Sequence, residues 1–244
     1  MRYVVFFILF LVSGCASLPR PEGFSFQTVK TGTFDVAVWT RIVPPVDTLK
    51  VFIEGDGQAW LSATQPSFDP TPRKSIVLQW AQRTAGNVAY MARPCQYVTS
   101  DRCDIPFWTT ARFSPEIIDA MDGALKTLIK RYRLKKVELV GYSGGGAVAV
   151  LLAQRNQGKV SKLTTVAGVL NHADWTAWFG DSPLDGSINA AYAFKEVAGI
   201  PQIHYAGGKD DVVPLSLSEK WVGKQKLTVL PNATHAKGFD AIKF

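Results

Sequence analysis

Cysteine and histidine are scarce in this 244-residue sequence, with three of each. None of them stands at the spacing of a zinc site, so no metal is expected, and three cysteines cannot staple a disulfide-dense mini-domain. No segment recurs at a fixed period, which excludes solenoids and propellers. Charged residues make up only 19% against 47% hydrophobic, too little charge and too much apolar side chain for a disordered chain. Lys and Arg outnumber Asp and Glu by 27 to 20, yet no five basic residues run together, and no nucleic-acid partner is expected. Neither the Lys of a P-loop nor the G-x-G-x-x-G spacing occurs in the glycine-rich stretches, so no cofactor is expected.

Long apolar runs are missing as well. Val4–Val12 (VVFFILFLV) is unbroken for nine residues, which as a helix spans roughly 14 Å against about 30 Å for a bilayer core. The run suits the apolar region of a secretory signal, with Arg2 before it and the small residues Ser13 and Gly14 after it. Cys15 follows directly. Val12-Ser13-Gly14-Cys15 resembles the bacterial lipobox, which implies removal of residues 1–14 and acylation of Cys15 as the new N-terminus; the alternative is an ordinary signal peptide with a chance cysteine. Several acyl chains anchor stably where one does not. Ala16 in place of an Asp points, by analogy with enteric bacteria, to the outer membrane facing the periplasm. Loss of Arg2 lowers the formal charge from +7 to +6. Cys95 and Cys103 then remain as a pair in an oxidising compartment, where a bridge across CQYVTSDRC would add about 2–3 kcal/mol. Two unpaired, packed thiols are the alternative.

Beyond a Pro-rich tether over residues 15–25, strands and helices alternate. Phe26–Val29 and Phe34–Thr40 read as an antiparallel pair around Thr31-Gly32. Leu49–Ile53 reads as a buried strand stopped by Glu54-Gly55-Asp56-Gly57. A helix is predicted over Ile76–Thr84 and a strand over Val88–Ala92. Ser114-Pro115-Glu116 has the form of a helix start, and Ile117, Ile118, Met121, Leu125, Leu128, Ile129 and Tyr132 then share one face. Val137–Val140 reads as a strand and Ala147–Ala153 as a helix apolar all round. Leu163–Ala167, Gln202–Ala206 and Leu227–Leu230 complete about eight strands, with helical stretches near 188–198 and 215–223. The pattern predicts an α/β fold, a mostly parallel sheet with helices on both faces, over residues 26–244.

Gly141-Tyr142-Ser143-Gly144-Gly145 fits G-x-S-x-G at the junction of a buried strand and a helix, the context that turns this short pattern into a nucleophile turn. On these residues the chain resembles the α/β-hydrolases, from about residue 26 to 244. The resemblance implies the order Ser…Asp…His. Gly207-Gly208-Lys209-Asp210-Asp211-Val212-Val213-Pro214 places the acid at Asp210, with Asp211 as rival, and His235 after the last strand is the base. His204 lies inside a strand and reads as a core residue. His172, Trp108 and Tyr142 are candidates for the substrate pocket, since their segments fall at the same edge of the sheet. The resemblance also implies an oxyanion hole from the backbone N–H of Gly144 and of Asp56, or alternatively Gly57. Glu54-Gly55-Asp56-Gly57 departs here from the family's usual His-Gly start, and a carboxylate beside an oxyanion is repulsive, so the Asp56 side chain must turn away or be paired.

Arg93-Pro94-Cys95-Gln96-Tyr97, with Trp108 and Arg112, reads either as a pocket wall or as a structural loop pinned by its bridge. Asn171–Trp175 with Trp178 and Phe179 is the only cap-like insertion, which makes any lid small. The expectation is a serine hydrolase of the esterase, lipase or thioesterase kind, acting on a small-molecule or lipid ester in the envelope, with the membrane as partner through its lipid anchor. The alternative is a catalytically silent protein of the same fold that binds an envelope component or a partner protein. Transfer to another acceptor would use the same residues as hydrolysis, and the oligomeric state is left open.

Overall fold

The computed structural model describes residues 18–223 and 226–244; the apolar run Val4–Val12, expected to be a signal, and Cys15 lie outside the described residues. Eight strands form one sheet: β1 (Ser25–Lys30), β2 (Asp35–Arg41), β3 (Thr48–Ile53), β4 (Val88–Met91), β5 (Lys136–Tyr142), β6 (Val160–Val166), β7 (Gln202–Gly207) and β8 (Leu227–Leu230). Their spatial order is β1-β2-β4-β3-β5-β6-β7-β8. β1 and β2 are antiparallel to each other, as are β2 and β4, and every later pairing is parallel. The helices are α1 (Ile76–Arg83), α2 (Pro115–Arg131), α3 (Gly144–Arg155), α4 (His172–Phe179) and α5 (Leu215–Val222).

Period-two alternation builds two cores. Val36, Val38, Val51 and Ile53 point to the face covered by α2 and α3, together with Ile117, Met121, Leu125 and Val148. Their neighbours Ala37, Trp39 and Phe52 point the other way, with Tyr90 and Tyr142, against Trp80 of α1 and Phe239 of the C-terminal segment. The start of α2 is capped by the Ser114 side chain, which accepts from the Ile117 N–H. β3 lies between β4 and β5, so the chain leaves it toward β4 through α1 and returns to β5 through α2 on the opposite face. The carboxyl ends of β3 and β5 therefore border a crevice at the point where the winding reverses, which is where open α/β sheets bind ligands.

One predicted helix is not there. Within residues 188–198 only a single 3-10 turn forms, Ala190–Ala193, with the Asn189 side chain accepting from Ala191 N–H. Ala190, Ala193 and Val197 are buried in the α2/α3 core, so packing of three short apolar residues holds the stretch, and Gly199 and Pro201 end it before a longer helix can form.

His204 sits inside β7 as the sequence suggests, 1% exposed. Its Nδ1 lies 2.7 Å from Thr165 Oγ1 and its Nε2 lies 3.1 Å from Gln202 Oε1. Burial lowers its pKa from 6.5 to about 4, so between those values the unfolded chain binds more protons than the folded one. Stability is therefore expected to fall by up to about 3 kcal/mol as pH drops through this window. Urea midpoints at pH 7 and pH 4.5 check it: His204→Gln should flatten the slope, and an unchanged slope would assign the acid sensitivity elsewhere.

Candidate active site

The turn between β5 and α3 is built on close approach. Ser143 holds φ 52° and ψ −124°, a backbone conformation that a non-glycine residue occupies at a cost of about 1–3 kcal/mol. The space around it explains why glycines flank it. A Cβ on Gly141 would collide with the Gly145 carbonyl oxygen, and one on Gly145 with the carbonyl oxygens of Ile53 and Glu54. Backbone of α3 thus lies directly on the end of β3, and Ser143 stands at the crevice.

Two loops from the far side of the sheet meet this serine. His235, beyond β8, puts Nε2 3.0 Å from Ser143 Oγ and Nδ1 3.0 Å from Asp210 Oδ2 and 3.2 Å from Oδ1. A carboxylate only accepts, so Nδ1 carries the proton toward Asp210 and Nε2 is left to accept from the serine hydroxyl. Asp210, beyond β7, has a fully buried side chain, and its Oδ1 also accepts from the N–H groups of Val212, at 2.9 Å, and Val213, at 2.8 Å. Asp211 is exposed and takes no part in this line. Tyr142 donates its hydroxyl to the His235 carbonyl oxygen at 3.0 Å, which fixes the loop carrying the imidazole.

Across the crevice the Glu54–Gly57 turn passes against Ser143; a Cβ on Gly55 would lie 3.2 Å from Ser143 Cβ. The Gly55 carbonyl accepts from Gln96 Nε2 at 3.1 Å, while Gln96 Oε1 accepts from Arg93 N–H at 3.0 Å. In a trans peptide the N–H points opposite to the carbonyl, so Gln96 sets the direction of the Asp56 N–H. Among the described residues, the N–H groups of Asp56, Gly57 and Gly144 have no protein acceptor. Gly57 itself, at φ 62°, is pressed against the Pro70 carbonyl and Gln96. Glu54 is buried beneath the turn. Its carboxyl accepts from Ser75 Oγ, Tyr90 OH at 2.7 Å and Gly55 N–H at 2.9 Å, and burial raises its pKa.

The departure from a His-Gly start is resolved by pairing. Asp56 Oδ1 lies 3.2 Å from Arg93 Nη1 and Oδ2 2.6 Å from Arg112 Nη1, with side chains 17%, 6% and 7% exposed. Arg93 also donates to the Arg112 carbonyl, and the Arg112 guanidinium lies 5.6 Å from the centre of the Trp175 ring. The carboxylate therefore faces the start of α3, where a Cβ on Gly144 would strike it, with two cations on its other side. Arg93 and Arg112 are thus not pocket wall but the buried counter-charge of Asp56. Cys95 and Cys103 are joined, with S–S 2.12 Å, and the bridge braces the loop that delivers Arg93 and Gln96.

The crevice at Ser143 is an open cavity of about 770 Å³ lined, besides Ser143 and His235, by Trp60, Tyr142, Val169, Trp175 and Val212, with Lys74 and Lys237 at its border. Two of the three pocket candidates are corrected. Trp108 lines a different cavity and donates Nε1 to the Ser67 carbonyl at 3.0 Å. His172 is buried at the start of α4, stacked on Phe113 at 6.2 Å, with Nε2 3.3 Å from the Ser187 carbonyl oxygen; burial lowers its pKa. Both have the right edge of the sheet but point into the body. Trp60 was missed for lack of any motif, although its loop follows β3 at that edge. The cap-like insertion is α4, whose Trp175 enters the pocket while Trp178 and Phe179 stay exposed. Among the described residues no cluster of His, Cys, Asp and Glu has the form of a metal site. Arg112→Met is expected to lower stability by about 2–3 kcal/mol, because it strips one partner from a partly buried carboxylate. Asp56→Asn in the same chain should recover part of that loss in urea unfolding, and simple additivity of the two changes would show them uncoupled.

A family model described as the α/β hydrolase fold matches residues 103–185, and no curated protein matches the sequence. Solved structures are similar over nearly the whole chain. The Pyrococcus furiosus esterase Pf2001 has 14% identity and TM-score 0.62, covering 89% of this chain and 84% of its own. Est1E from Butyrivibrio proteoclasticus has 12% identity and TM-score 0.60, covering 88% and 90%. XC6422 from Xanthomonas campestris, an α/β serine hydrolase without a lid, has 13% identity and TM-score 0.55, covering 90% and 89%. Sheet order, nucleophile turn and these likenesses agree: the chain is an α/β-hydrolase-fold protein.

Proposed function

We propose that the protein is a serine hydrolase that cleaves a carboxylic ester or related acyl bond through an acyl-enzyme. The observation that carries this reading is the continuous line Ser143 Oγ–His235–Asp210, with both contacts of the imidazole near 3.0 Å. Serine holds its proton at neutral pH and is a weak nucleophile alone. His235 Nε2 takes that proton as Oγ attacks the substrate carbonyl carbon, and Asp210 stabilises the imidazolium while holding the ring in its tautomer. The carbonyl oxygen becomes an oxyanion, met by the N–H of Gly144 at the positive end of α3 and by the N–H of Asp56, with Gly57 as the alternative donor. His235 then returns the proton to the departing alkoxide, and the second half repeats the sequence with water attacking the acyl-serine.

The substrate class is supported by the site and by its neighbours. An open cavity walled by Trp60, Tyr142, Trp175 and Val212 fits an apolar acyl or alkyl group, and the similar solved structures include esterases and a serine hydrolase. Location follows from the leader: the reading places the mature chain in the bacterial envelope, anchored by acylated Cys15, at the outer membrane facing the periplasm.

A fluorophosphonate probe is expected to label the protein at Ser143, and Ser143→Ala should abolish the label. Failure of the wild type to label would leave the silent binding protein as the better reading. His235→Ala should lower kcat on p-nitrophenyl esters about ten-thousand-fold with little change in KM and an unaltered fold; retained activity would move the base elsewhere. For the location, Cys15→Ser should release the exported protein from the membrane fraction, and undiminished fractionation would argue against acylation.

A further inference from the structure

A second cavity, of about 780 Å³, lies on the other side of the loop between β3 and α1, away from Ser143. Its lining brings together the first described residues of the chain, Leu18 and Pro19, with Leu61 and Phe68 of that loop. The chain is pinned there, since Trp39 Nε1 donates to the Pro19 carbonyl at 2.9 Å. Leu18 is 37% exposed, Leu61 47% and Phe68 85%. This is not a loose loop that happens to show apolar residues. Gln58 N–H bonds to the Pro70 carbonyl at 2.9 Å, Leu61 N–H to Gln65 at 2.8 Å and Ser67 N–H to Ala59 at 2.9 Å. The backbone is tied down and still holds a phenylalanine almost fully in solvent.

Chain length limits how far an anchor at Cys15 lies from this face. Three residue steps separate Cys15 from Leu18, and even fully extended they reach only about 10 Å. A lipid attached at residue 15 therefore draws the bilayer surface to within that distance of Leu18, and so to the edge carrying Leu61 and Phe68. We propose that this edge is a membrane-docking face, in which Leu61 and Phe68 enter the boundary between headgroups and acyl chains of the bilayer that holds the anchor. The proposal rests on the reading of Cys15 as acylated. Arg20 on the tether and Arg73 and Lys74 at the end of the loop are exposed, and they outnumber the nearby Glu22 and Asp69, a balance suited to anionic headgroups. The loop also joins the two cavities, because Trp60 lines the catalytic crevice while Pro72 lines both. Docking would set the mouth of the crevice beside the lipid surface.

The test uses the full acylated protein in phosphatidylethanolamine–phosphatidylglycerol vesicles. With Cys95 and Cys103 bridged and Cys15 acylated, Phe68→Cys supplies a single free thiol for an environment-sensitive fluorophore. Gln157→Cys, exposed before β6 at the opposite edge of the sheet, is the control. The Phe68→Cys probe is expected to shift to the blue on vesicle addition and to lose emission with doxyl-labelled lipid, while the Gln157→Cys probe does neither. If the protein floats with the vesicles but both probes behave alike, the docking face is refuted and the anchor stands. If mass analysis finds no acyl groups on the mature chain, the anchor reading fails and the docking proposal fails with it.

Discussion

Everything at the site depends on how closely α3 sits on the carboxyl end of β3. That distance exists only because residues 141 and 145 lack a Cβ: at either position a methyl group would overlap backbone. The contact forces Ser143 into positive φ, raises its hydroxyl into the crevice and brings the free N–H groups at the start of the helix next to those of the Glu54–Gly57 turn. Strain at one residue is thus maintained by a packed helix that is apolar on all sides, since Ala147 to Ala153 are all buried and the helix cannot shift outward without exposing them.

The same approach creates an electrostatic problem. An aspartate at the turn places a carboxylate near the position where an oxyanion would form, and repulsion there would oppose the chemistry. Arg93 and Arg112 answer it from beneath, and each is positioned by other needs of the fold: Arg93 lies just beyond β4 in the bridged loop, and Arg112 stands two residues before the cap of α2. Two cations around one anion leave the cluster net positive. The Asp56 N–H can then face the crevice while its side chain is satisfied elsewhere. Gln96 holds the carbonyl of the Gly55–Asp56 peptide and Glu54 holds the N–H of the peptide before it, so the turn is fixed while the Asp56 N–H stays free.

Much of this was legible in the sequence because it is local. Strands such as Leu49–Ile53 and Val137–Val140 announce themselves as short, mostly apolar runs stopped by glycine-rich turns, and G-x-S-x-G is a turn whose requirements are met by adjacent residues. The order of candidate acid and base along the chain came from the resemblance to the α/β-hydrolases, and parallel crossovers explain how the ends of those successive strands reach one edge. Direction of side chains at that edge could not be read. Trp108 and His172 belong to the right segments, but whether they face the crevice or the core depends on helix rotation and on neighbours such as Ser67 and Phe113, far away in sequence. Residues 188–198 failed for a related reason, since helical spacing also occurs in a segment whose small residues are simply pressed onto α3.

Sequence alone determined the alternation that makes a parallel sheet and the glycine-flanked turn at Ser143, because periodicity and steric need are properties of the chain itself, while His235 and the choice of Asp210 or Asp211 were named through the resemblance. Only the tertiary structure put Asp210 and not Asp211 against His235, paired Asp56 with its two arginines, and separated the crevice at Ser143 from the second cavity. Those outcomes depend on distances between segments tens of residues apart, and such distances exist only once the sheet has closed around its two cores.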